Sequence, residues 1–207
     1  MMRYTLLVLL LVGWCTLHSS MICLPATEYL HKKFPIGFRF YRVIYNIIAV
    51  ATLAPVLLYG AHLKGPTIIA WAGPWRIVPV LLVVTSLFFF IAGARRYDLL
   101  QLIGIRQIKG EKTCSVLSSD CSLDTGGVLS IVRHPWYTGG ILIIWARPLD
   151  MAAILTNLVI YVYFVVGTIL EERKLRLQFG PEYEEYCRRV SMFFPVKWAV
   201  RLIFRNE

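Results

Sequence analysis

Apolar residues run along this chain in long blocks, and the polar residues fall between them. Four blocks are unbroken for the length of a membrane crossing: Tyr4–Leu24, Tyr41–Gly60, Ile77–Ala94 and Met151–Leu170. A helix rises 1.5 Å per residue, so about 20 apolar residues cross the ~30 Å hydrocarbon core. Each block therefore predicts a transmembrane helix. A fifth block, Val128–Ala146, is interrupted by Arg133-His134-Pro135. Its apolar remainder, Trp136–Ala146, rises only ~17 Å and does not span alone. The chain then turns at Arg147-Pro148-Leu149-Asp150 and enters the last block. The pattern predicts one all-α, polytopic membrane bundle over residues 1–207. It has about five transmembrane helices, a helical hairpin between the fourth and fifth, and a C-terminal cytoplasmic or interfacial tail. That tail, MFFPVKWAVRLIFR, mixes aromatic and basic residues as an interfacial helix does. The start, MMRYTLLVLLLVGWC, imitates a secretory signal. It lacks a small-residue cleavage site and stays apolar to Leu24, so it is read as a retained first span.

Composition agrees: 57% of the 207 residues are hydrophobic and only 16% are charged. Soluble domains sit nearer 45–50% apolar. The net charge of +10 would suggest nucleic acid in a soluble protein; here loops facing anionic lipid account for it, and no nucleic-acid partner is expected. With the N-terminus outside, the inner loops hold 18 of the 22 Lys and Arg residues. The expected location is a bacterial inner membrane with the C-terminus cytoplasmic. Trp71 and Trp75 fit an aromatic belt at the outer surface. Five cysteines form no CxxC pair, and Cys114 and Cys121 share a loop in which free thiols are expected. The four histidines have no metal-ligand spacing, so no metal is expected.

Polar groups inside a span need a partner or a cavity, because hydrocarbon supplies no hydrogen bonds. Three sets stand out. In VRHPWYTGG (132–140), Pro135 suits the first turn of a helix whose N-terminal N–H groups face the space beside Arg133. Gly139 and Gly140, one turn later, permit close approach of a backbone or a flat ligand; the plainer alternative is an Arg/His pair that snorkels. Glu171-Glu172 closes the last span and, through the hairpin, returns to the face of Arg133. The alternative there is a membrane-exit charge pair with Arg173 and Lys174. His18-Ser19-Ser20 lies in the first span as a satisfied structural group or as a group facing an acceptor. Carboxylates and cations together suit a zwitterionic ligand.

The run VRHPWYTGG, a hydrophobic hairpin and EERKLRLQFGPEYEEYCRRVSMFFP resembles the signature of integral-membrane methyltransferases, the group of isoprenylcysteine carboxyl methyltransferase and the phospholipid methyltransferases. The pattern is met at Arg133, His134, Pro135, Tyr137, Gly139, Glu171, Glu172, Phe179, Gly180, Tyr183, Tyr186 and Pro195, about residues 126–196. HSSM (18–21), FYRVIYN (40–46) and RRYDLLQLIGIRQI (95–108) are similar to the NnrU-like branch and to methanethiol S-methyltransferases. The resemblance implies S-adenosylmethionine as methyl donor, held at Arg133, His134, Pro135, Tyr137, Gly139, Glu171, Glu172 and Tyr183 within 126–196, with residues 1–125 on the acceptor side. It also implies a small-molecule or lipid-like acceptor, a thiol first. A prenylcysteine carboxylate or lipid amine is the alternative, and a non-catalytic NnrU-like accessory protein is a third. Methyl transfer rests mainly on alignment and exclusion of water. A thiol must also lose a proton, which makes His18 and Glu172 the candidate catalytic bases.

Overall fold

The computed structural model describes residues 1–111 and 122–204, so Cys114 and Cys121 lie outside the described residues. Among the described residues the secondary structure is helical. In chain order the helices are α1 (Met2–Ile22), α2 (Leu24–Lys33), α3 (Tyr41–His62), α4 (Ile77–Ala94), α5 (Leu99–Ile103), α6 (Ile105–Lys109), α7 (Pro135–Trp145), α8 (Met151–Phe179), α9 (Pro181–Arg189) and α10 (Val196–Ile203). Four stretches, Met2–Ile22, Gly37–His62, Gly73–Ala94 and Met151–Phe179, are long and apolar enough to cross a membrane. Large apolar side chains on them stay exposed, Val50, Leu58 and Val84 among them, the pattern of lipid-facing surface. The chain is an integral membrane protein of the all-α, polytopic kind.

Proline and glycine set the breaks. α1 stops at Cys23, whose backbone is extended, and Pro25 opens α2 within its first turn. Pro135 opens α7, which runs only 11 residues, so the fifth predicted crossing is a half-length helix as its interrupted pattern implied. The last span departs from expectation at its far end. It was predicted to close at Leu170, but α8 continues through EERKLRLQF to Phe179. Those nine residues include strong helix formers, and Glu172 pairs with Arg176 four positions on, at 3.0 Å. The helix ends where Gly180 takes φ +54°, a conformation costly for any residue with a Cβ. Glu171 and Glu172 therefore sit inside a helix, with their backbone fixed, rather than at a fraying end.

The chain divides into two compact units. The first holds Met1–Ile69, the described residues from Asp98 to 111, and Leu149–Tyr163. Its core is Leu7, Leu11, Val56 and Ala152. A single antiparallel bridge joins Ile69 to Leu149. Asp150 then caps α8, with Oδ1 accepting from the Ala153 N–H at 2.8 Å and Oδ2 from the Gly65 N–H at 3.3 Å.

The second unit holds Ala70–Tyr97, the described residues from 122 to Pro148, and the chain from Phe164 onward. Here α4 and α7 pack with unusual closeness. The Ser86 hydroxyl donates to the Gly139 carbonyl at 2.8 Å, and the Trp136 indole donates to the Phe90 carbonyl at 3.1 Å. A Cβ at Gly139 would lie 3.1 Å from the Ser86 carbonyl oxygen, and one at Gly93 would lie 2.6 Å from the Trp136 ring. Both glycines are thus required by helix approach. Gly139 meets a backbone, the first of the two uses expected for it. Trp71, at the loop before α4, donates to the Arg147 carbonyl at 2.9 Å.

Candidate functional site

The second unit fixes the Arg133-His134 segment from its backbone outward. Val132 and Ser191 form a parallel bridge. The Arg133 N–H donates to the Ser191 carbonyl at 2.9 Å and the His134 N–H to the Met192 carbonyl at 3.2 Å. Thr138, in the first turn of α7, ties its hydroxyl to the His134 and Phe193 carbonyls, both at 3.0 Å. An irregular stretch before a short helix thus has its backbone groups paired, as a low-dielectric setting demands.

The side chains converge on Glu172, which is 1% exposed. Its Oε1 accepts from Arg133 Nη2 at 2.6 Å, Arg133 Nε at 2.8 Å and His134 Nε2 at 3.2 Å; its Oε2 accepts from Arg176 at 3.0 Å. A carboxylate only accepts, so His134 carries its proton on Nε2. Arg133 Nη1 donates to the carbonyls of Cys187 and Val190. Burying charge costs several kcal/mol per ion, about, unless each lone pair and proton is satisfied. Here both Glu172 oxygens and all three Arg133 nitrogens have partners, and the hairpin geometry expected from the sequence brings Glu172 to Arg133.

Beside this clamp lies an open cavity of about 820 Å³, the solvent at its mouth included. Arg133, His134, Glu171 and Tyr183 border it, together with Arg96, Tyr97, Asp124, Lys174, Tyr186 and the apolar Leu123, Leu129 and Leu175. Arg96 is paired with Asp124 at 2.5 Å. Tyr186 donates to the Leu129 carbonyl at 2.7 Å. The Tyr183 hydroxyl is buried without a hydrogen-bond partner among the described residues. Burial pushes the hydroxyls of Tyr97, Tyr183 and Tyr186 up, so all three stay protonated and able to donate.

The candidate residues sort into three places. Arg133, His134, Glu171 and Tyr183 face the cavity. Pro135, Tyr137, Gly139 and Glu172 do not border it and shape it from behind. Pro135 starts α7, and the Tyr137 ring lies 5.7 Å from His134 and 5.3 Å from Phe164, centroid to centroid. Gly139 meets α4, and Glu172 holds the clamp. His18 belongs to the first unit. Its Nδ1 is 2.6 Å from the Tyr163 hydroxyl, its Nε2 bonds the Tyr45 hydroxyl, and Ser19 reaches Tyr163 at 3.1 Å. Sequence reasoning missed Arg96, Tyr97, Asp124 and Lys174. Lys174 was recoverable: continuing α8 past Leu170 puts it one turn after Glu171, on the same face.

A polytopic helical membrane protein with a buried Arg–Glu–His clamp beside an open cavity is the class that fold and site define. Within that class, the NnrU protein family matches residues 6–202, and the chain belongs to it. Among curated relatives it is 31% identical over 197 residues to methanethiol S-methyltransferase 2 of Bradyrhizobium diazoefficiens, covering 93% of this chain and 74% of that protein. It is 46% identical over 70 residues to methanethiol S-methyltransferase 1 of the same organism, covering 33% of this chain and a quarter (25%) of that protein's length. A probable protein-S-isoprenylcysteine O-methyltransferase of Oryza sativa subsp. indica is 38% identical over 81 residues, 35% of this chain and 40% of that one. No solved structure matches.

Proposed function

We propose that the chain is an S-adenosylmethionine-dependent membrane methyltransferase whose acceptor is a small thiol of the methanethiol kind. The observation that carries this reading is the cavity against Arg133-His134, whose border presents the Glu171 carboxylate and the Lys174 ammonium, beside leucines and tyrosines, to one ligand. A sulfonium amino acid joined to a nucleoside fits that donor set, with both charges at one end and hydrogen-bonding groups along its length. Bound there, it supplies an electrophilic methyl carbon, whose bond to sulfur breaks as the bond to the acceptor forms.

The chain's own residues align and shield. Glu172 holds Arg133 and His134 at the cavity wall, and Tyr97, Leu129 and Tyr186 keep that wall dry. Proximity of this kind contributes most of what a displacement at carbon requires. A thiol also gives up a proton. Glu172 has both oxygens taken by cationic or imidazole donors, so its assigned role is positioning. His18 has both ring nitrogens engaged by tyrosine hydroxyls and takes a proton only through one of them. The Lys/Arg distribution supports a C-terminus, and hence a donor site, on the cytoplasmic side.

Titration calorimetry with S-adenosylhomocysteine on protein in nanodiscs tests the donor site; absence of binding overturns it. Headspace detection of dimethyl sulfide from methanethiol tests the acceptor. The similarity to the isoprenylcysteine enzyme favours a second reading, carboxyl methylation. Activity on a farnesylated cysteine without dimethyl sulfide formation selects that reading instead.

A further inference from the structure

Lys174 and Glu171 lie three positions apart on α8, both bordering the cavity. The other cations bordering it are spent: Arg96 pairs with Asp124 at 2.5 Å, and Arg133 is held by Glu172 and two backbone carbonyls. Lys174 makes no ion pair or hydrogen bond among the described residues. Glu171 is 3.8 Å from His134 Nδ1, beyond hydrogen-bond reach. One helix face therefore offers, a turn apart, one unpaired cation and one anion whose contact among the described residues is the long one to His134 Nδ1. Tyr183 also borders this cavity, and its buried hydroxyl lacks a hydrogen-bond partner among the described residues. An orphaned buried donor costs about 1–3 kcal/mol unless a ligand satisfies it.

We propose that Glu171 and Lys174 form the subsite for the amino-acid end of the donor, Glu171 taking its ammonium and Lys174 its carboxylate. The proposal rests on the donor reading above and assigns Lys174 a recognition role. A ligand with the nucleoside but no amino-acid end gains nothing from this pair. One with both charges gains two charge-assisted contacts, the stronger class of hydrogen bond.

Calorimetry on the full chain in nanodiscs, with two probes, tests it. S-adenosylhomocysteine carries the amino-acid end; 5′-methylthioadenosine lacks it. Lys174→Ala is expected to weaken the first about tenfold, the loss of ~1.4 kcal/mol, and to leave the second within about twofold. Lys174→Arg restores most of the loss, and Glu171→Gln weakens the same probe selectively. Arg173→Ala, next in the chain but away from the cavity, changes neither. Equal weakening of both probes by Lys174→Ala, or none, overturns the subsite while leaving the donor site intact. A wild-type chain that binds neither probe overturns the donor reading itself. Lys174 is exposed, so these variants fold.

Discussion

Each unit of the molecule holds a polar cluster among its helices, and these two are built from opposite chemistry. In the first unit, Tyr163, His18, Tyr45 and Ser19 form a chain of hydroxyls and one imidazole, with the Trp14 ring 4.9 Å from the imidazole, centroid to centroid. Each hydroxyl both donates and accepts, so a chain of this kind satisfies itself whichever way its protons point. In the second unit, Arg133, His134, Arg176 and Glu172 form a charged clamp, where no donor and acceptor exchange roles. The neutral cluster ties three helices together within its unit and has no orphaned buried atom among the described residues. The charged one borders a cavity and leaves Glu171, Lys174 and the Tyr183 hydroxyl for something else. Apolar chains tolerate neutral polar groups as fasteners; buried charge, which costs far more, is kept where it positions a ligand site.

The contrast breaks first at Glu172. Glu172→Ala leaves Arg133, His134 and Arg176 without their shared acceptor, an uncompensated buried charge that costs ~3–5 kcal/mol. Thermal unfolding in detergent should show the loss, and S-adenosylhomocysteine binding should disappear with it. An unchanged midpoint would mean that the clamp holds nothing. Tyr163→Phe is expected to cost less, ~1–2 kcal/mol for two neutral hydrogen bonds, with donor affinity unchanged. If donor affinity fell as steeply as in Glu172→Ala, the neutral cluster would be more than a fastener.

The two clusters also differ in how far the sequence disclosed them. VRHPWYTGG announced the clamp, because Arg and His inside an apolar block demand a partner and Pro135 marks a helix start. The hairpin then brought the pair Glu171-Glu172 to the face of Arg133, and the structure gives Glu172 as the partner. The half-length of α7 followed from residue count alone. His18 was visible as an anomaly, but Tyr45 and Tyr163 were not, since a tyrosine in a span is ordinary. The apolar run ends at Leu170, but α8 is sustained beyond that point by helix propensity and by Glu172–Arg176, and so carries Lys174 to the cavity. Arg96 and Asp124 reach the cavity by tertiary packing, for which periodicity carries no signal.

The finest probe of the charged region removes a single oxygen. Tyr183→Phe deletes a buried hydroxyl without a hydrogen-bond partner among the described residues, so the unliganded protein should hold its stability or gain up to ~1 kcal/mol, unlike almost every other change at a buried polar residue. Its affinity for S-adenosylhomocysteine should nevertheless fall a few-fold if the ligand satisfies that hydroxyl. Alkaline pH adds a check with a defined sign. Burial holds the folded-state Tyr183 hydroxyl well above its ordinary value near 10. The unfolded chain therefore loses this proton first, and the wild type loses stability as pH rises above ~10. Tyr183→Phe lacks that term, so its advantage should widen between pH 9 and 11 if folding is followed in parallel, on the order of 1 kcal/mol per pH unit. A Tyr183→Phe variant that unfolds more easily at neutral pH would show that the hydroxyl is already satisfied, and the cavity would lose its clearest mark of an expected ligand.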